Sequence, residues 1–66
     1  MPPVLIVREV IKLIEADGWV HVSTSGSHRN FKHPIKKGRV TVAGKQSVAL
    51  QQGTLVSILK QAGLRS

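Results

Sequence analysis

The apolar spacing of this chain changes at Asp17-Gly18, and that change limits what it can fold into. Upstream, Val7, Val10, Ile11 and Ile14 fall at i, i+3, i+4 and i+7, with Leu13 alongside. This is one stripe of a helix whose other side carries Arg8, Glu9, Lys12 and Glu15. Gly18 offers the left-handed residue on which helices end. The helix start is weakly marked. No Ser, Thr, Asp or Asn precedes Arg8, so a side-chain cap worth about 1 kcal/mol is missing. Downstream, Trp19-Val20-His21-Val22 switches to a period of two, which predicts a strand. Residues 23–27 then read as a turn or loop, and 28–33 as a second strand ended by Pro34. Ile35-Lys36-Lys37-Gly38 makes the next turn, and 39–43 a third strand. Residues 44–50 look irregular. Leu55, Ile58, Leu59 and Ala62 form a second helical stripe, closed by Gly63.

The order helix-strand-strand-strand-helix predicts an α+β fold: a three-stranded antiparallel sheet with both helices on one face. The length of 66 residues allows one domain, 1–66, without repeat or linker. So short a chain buries only about 60% of its unfolded surface. It has no cysteine, so no disulfide supports it and a Cys-based zinc site is excluded. Trp19 and Phe31 are needed inside as core anchors. With Phe31 inward, alternation puts His28, Asn30 and Lys32 together on the open face. The N-terminal apolar run Val4-Leu5-Ile6-Val7 stops at Arg8. It is too short for a signal-peptide core or a membrane span, and the expectation is a cytoplasmic domain with no membrane role.

Charge narrows the partner. Ten Lys and Arg stand against three acids, a formal net charge of +7. The acids are Glu9, Glu15 and Asp17, and none follows Gly18. A polyanion fits such a field, and RNA is the expected one; a basic surface that only aids solubility is the alternative. The candidate phosphate contacts are Gly26, Ser27, Arg29, Lys32, Lys36, Lys37, Arg39 and Lys45.

Gly26-Ser27-His28 is the candidate for chemistry. Glycine lets the backbone bend and approach a phosphate, Ser27 adds a hydroxyl, and His28 opens the strand behind them. A neutral imidazole beside cations is suited to take the proton of an RNA 2′-hydroxyl, whose attack on the adjacent phosphate needs neither metal nor cofactor. A turn followed by a solvated strand histidine explains the same three residues. His33, before Pro34, reads as a structural hairpin residue, and His21 as a surface strand residue. Three dispersed histidines, with the only acids near the first helix, make a poor metal set, and a Ser-His-Asp triad finds little support because no acid follows Asp17. Tyrosine is absent, which argues against an aromatic stacking platform.

Taken in order, "REVIKLIEADGW", "GSHRNFKHP", "GRVTV" and "GTLVSILKQAGL" resemble the HicA family of bacterial toxins, small mRNA interferases paired with a HicB antitoxin. The resemblance runs from Arg8 to Leu64. It implies a fold similar to a double-stranded RNA-binding domain, and it implies that His28 is the catalytic histidine of an endoribonuclease. It also implies that an antitoxin covers the active region. A decayed toxin that binds RNA without cleaving it is the alternative. Family members commonly read Thr-Val-Pro after the third strand, then a histidine, where this chain has Thr41-Val42-Ala43-Gly44-Lys45-Gln46. Relatives often carry proline or lysine before the Gly-Thr of the second helix, and a serine where Val7 stands.

Overall fold

The first helix, α1 (Val7–Ala16), buries Val7, Val10, Ile11 and Ile14, the stripe that the spacing predicts. Leu13 lies outside it, 46% exposed. The computed structural model describes residues 5–65, so Val4 of the N-terminal apolar run lies outside the described residues. The missing cap at the start of α1 is made good from a distance. Val7 N–H donates to the Val48 carbonyl at 2.9 Å and Arg8 N–H to that of Gln46 at 3.0 Å. The Glu9 carboxylate accepts from Ile6 N–H at 3.0 Å. Residues 44–50 therefore act as a backbone cap for α1, and Ile6 and Ala49 form an antiparallel bridge beside it. At the other end, Gly18 N–H bonds to the Glu15 carbonyl and Trp19 N–H to that of Ile14, the paired closure of a glycine-terminated helix.

The sheet has the order β1 (Val20–Ser25), β2 (His28–Lys32), β3 (Val40–Ala43), antiparallel throughout. Two sequence expectations are corrected here. Residues 23–25 belong to β1, so the turn shrinks to Gly26-Ser27. Trp19, His33 and Arg39 fall outside the strands. The polar run Ser23-Thr24-Ser25 has no apolar alternation to reveal a strand because every β1 residue is exposed. A bulge at Val22 shifts the register: His21 faces Phe31, but Ser23 faces Asn30.

The second helix, α2 (Gln52–Gln61), closes with Gly63 N–H on the Lys60 carbonyl and Leu64 N–H on that of Leu59. Its Ile58, together with Ala62, joins α1, Trp19, Phe31, Val40 and Val42 in one core. Trp19 also donates its indole N–H to the Ala62 carbonyl at 3.2 Å.

Both helices thus cover one side of the sheet, over β2 and β3. Phe31, Val40 and Val42 point to that side, and by register so does Arg29, opposite Val42. His28, Asn30 and Lys32 point to the open side, as alternation predicts. There Asn30 links the strands, donating to Ser23 Oγ at 3.1 Å and accepting from Thr41 Oγ1 at 2.9 Å.

Candidate active site and basic surface

The β1–β2 hairpin turns on two residues. Gly26 has φ +60° and Ser27 does not have a positive φ, the pattern of a tight hairpin turn with glycine in first place. Nothing lies within 4 Å of where a Gly26 side chain would begin, so the glycine serves the backbone and leaves the turn open to a ligand. The Ser27 carbonyl accepts from Gly44 N–H at 3.2 Å, which ties the turn to the segment after β3. His28 follows at the first position of β2, between Ser25 and Ala43. Its side chain is exposed and has no hydrogen-bond partner among the described residues.

The basic residues separate into groups. Lys45 is adjacent to Gly44 and so is brought to the hairpin end with Gly26, Ser27 and His28. Lys32 shares the open face with His28 but stands four residues along the strand, roughly 13 Å away. Lys36, Lys37 and Arg39 lie beyond it on the β2–β3 connection, at the opposite end of the sheet. Lys37 and Arg39 are exposed. Lys36 is engaged in the fold: its ammonium pairs with the Asp17 carboxylate and donates to the Ala62 carbonyl at 3.0 Å. That cation at the end of α2 complements the helix dipole. The same contact, chiefly the hydrogen bond from Lys36, holds the Asp17 carboxyl below its ordinary value.

His33 is fully occupied. Its Nδ1 accepts from the N–H groups of Ile35 at 3.0 Å and Lys36 at 2.9 Å. The ring proton is thereby assigned to Nε2, which donates to the Asp17 carbonyl at 2.8 Å. The ring meets Trp19 edge-on at 5.3 Å. This is the structural role that its place before Pro34 suggests.

Arg29 departs from its neighbour. It faces the helices, and its Nη1 donates to the Gly44 carbonyl at 3.1 Å. There it lines a cleft of about 300 Å³ between α1 and the sheet. Arg8 and Lys12 enter from α1, His21 from β1, and Gln46 from the segment that caps α1. Sequence reasoning did not single out these four as a site. The available signal was a second stripe on α1, Arg8, Lys12 and Glu15 at i, i+4 and i+7. The bulge that places His21 and Thr24 on one face left no such trace. Among the described residues, no group of three or more His, Asp or Glu is arranged to hold a metal ion, and no helix is long and apolar enough to cross a membrane.

A comparison with curated proteins finds no match. The family model described as the HicA toxin of bacterial toxin–antitoxin systems matches residues 7–64, a span that takes in every helix and strand described above. The chain belongs to the HicA toxin family.

Proposed function

We propose that this toxin is an endoribonuclease in which His28 is the catalytic base. Membership of the family makes the chain the toxin of a toxin–antitoxin pair and implies an antitoxin partner. The observation that carries the enzymatic reading is the state of His28: an exposed imidazole with neither nitrogen engaged among the described residues, near the open backbone of Gly26. His28 takes the proton of an RNA 2′-hydroxyl, and the 2′-oxygen attacks the adjacent phosphorus. The bond from phosphorus to the 5′-oxygen breaks, and that oxygen takes up a proton from solvent. The products are a 2′,3′-cyclic phosphate and a 5′-hydroxyl. The nucleophile comes from the substrate, so the step needs neither metal nor cofactor. Gly26, Ser27 and Lys45 hold the scissile phosphate at the hairpin end. Lys32, Lys37 and Arg39 contact phosphates further along, where backbone charge positions the strand without reading bases. Lys36, paired with Asp17, is held in the fold and takes little part. Arg29 contributes from the other face. An acidic antitoxin of the HicB type would cover the same hairpin.

The decisive experiment is induction of the native chain and of His28→Ala in cells, with growth and RNA integrity followed together. Arrest and RNA breakdown with the native chain only is the expected result, and both persisting with His28→Ala overturns the assignment. In vitro, cleavage should survive EDTA; loss of cleavage restored by a divalent ion would contradict the mechanism. A second reading is an RNA-binding protein without cleavage. It is favoured by Ala43-Gly44-Lys45-Gln46, which holds no second histidine beside His28. Growth and RNA unaffected by the native chain, with salt-sensitive RNA binding retained, would select it.

A further inference from the structure

The cleft between α1 and the β1–β2 sheet lies on the opposite face from His28, and of its residues the mechanism above uses only Arg29. Its walls carry three cations, Arg8, Lys12 and Arg29, against one acid, Glu15. Its floor is apolar, formed by Ile11 and the buried Phe31. The His21 ring is packed against Phe31 at 5.4 Å with a tilt of 51°. Its Nε2 is 2.7 Å from Thr24 Oγ1, which holds the imidazole in place. Gln46 supplies an amide with both donor and acceptor groups.

We propose that this cleft binds one nucleotide of the RNA strand next to the cleaved phosphate, with its phosphate on the cations and its base on the His21 ring. The proposal rests on the ribonuclease reading and adds a subsite to it. Three features favour a nucleotide. The volume of about 300 Å³ is at the lower end of small-molecule pockets, which suits one nucleotide. A bare carboxylate partner would need the cations alone, whereas this cleft also has an aromatic surface and an amide suited to a base edge. Arg29 directly follows His28 and points the other way, so a single strand crossing the hairpin meets both in succession. The Gly44 carbonyl engages one corner of the Arg29 guanidinium and leaves its remaining N–H groups for a phosphate.

The test uses the full chain carrying His28→Ala and a short 2′-fluoro RNA, which has no 2′-hydroxyl to attack. Arg8→Gln and Lys12→Gln are combined, since both side chains lie on the exposed side of α1 and their removal leaves the core intact. RNA affinity at low salt should fall roughly fivefold to fiftyfold, with the dependence of log affinity on log salt shallower by about 1.4, the value for two single-strand phosphate contacts. In the parent, the NMR signals of His21 and Gln46 should move on adding RNA, and less on adding inorganic phosphate alone. Tight RNA binding that the double substitution leaves unchanged, with His21 signals unmoved, overturns the subsite and leaves the ribonuclease reading standing. No RNA binding by either protein overturns both. Normal RNA binding combined with loss of binding to a Glu-rich peptide overturns the proposal in favour of a protein partner.

Discussion

The two ends of the sheet hold the same kinds of residue and use them differently. At the β2–β3 end, both nitrogens of His33 are hydrogen-bonded, and Lys36 is shared between Asp17 and the end of α2. At the hairpin end, His28 has no partner among the described residues, and Gly26 has open space above it. A histidine followed within a few residues by lysine or arginine occurs at both ends. On the proposed function, what separates structure from chemistry is whether the polar groups are already satisfied. A group engaged inside the fold gives up a hydrogen bond before it can serve a substrate, and one buried without a partner costs stability.

The sharpest way to break this contrast is to exchange the fates of the two histidines. His28→Ala should lower RNA cleavage by about 10²–10⁴-fold and leave the melting temperature unchanged, because His28 is exposed and stands outside the core. His33→Ala should do the reverse. It takes the partner from the part-buried Asp17 carbonyl and Lys36 N–H, at a cost of about 1–3 kcal/mol, while the exposed Ile35 N–H turns to water. In a domain of this size each kcal/mol lowers the melting temperature by roughly 4–8 °C. Thermal unfolding and a cleavage assay on both variants decide. A destabilised His28→Ala, or a His33→Ala that melts with the native protein, would erase the contrast.

The glycines carry it to the backbone. Gly18 has φ +108°, and an added Cβ would stand 2.7 Å from His33 Nε2. Gly26 has φ +60° with nothing nearby. Alanine at either position meets the backbone cost of about 1–3 kcal/mol, and at Gly18 the clash comes on top. Urea unfolding should therefore rank Gly18→Ala as the less stable variant; equal midpoints would show that His33 yields easily.

How much of this was legible in the sequence follows from which forces leave a pattern. Helical stripes and the core did, because burial of Val7, Val10, Ile11 and Ile14 imposes a spacing. The open-face position of His28 did too, since strand alternation fixes it once Phe31 is buried. The length of β1 did not. It is exposed along its whole length, so burial imposes no alternation on Ser23, Thr24 and Ser25. The cleft was hidden for a related reason: it unites α1, β1, β2 and the segment before α2, and the Val22 bulge that aligns His21 with Thr24 has no sequence mark. The loss of Lys36 to Asp17 joins positions 19 residues apart, beyond any local reading.

The lysines give a smaller effect. Lys45, exposed at the hairpin end, should contribute one phosphate contact, so Lys45→Gln should flatten the salt dependence of RNA binding by about 0.7 in log affinity per log salt. Lys36→Gln should leave that slope nearly as it was and lower stability instead, since its charge is paired with Asp17. RNA titrations over a range of salt separate the two. A steeper loss for Lys36→Gln would mean that the pair opens to receive RNA.

The smallest expected effect lies in acid. Asp17 has its carboxyl held below the ordinary value, first by the hydrogen bond from Lys36, while partial burial pushes the other way. A carboxylate whose folded pKa is depressed adds stability above its unfolded pKa, and that stability disappears as pH falls through the folded value. The window therefore opens near the ordinary aspartate range, about pH 4, and extends below it. Unfolding followed from pH 6 downwards should show native stability falling below about pH 4 more steeply than that of Asp17→Asn, with the two curves converging once the native carboxyl is protonated. A pH profile unchanged by Asp17→Asn would mean that the ion pair contributes nothing in solution, as happens for many surface pairs, and that His33 and Trp19 alone hold the closed end of the sheet.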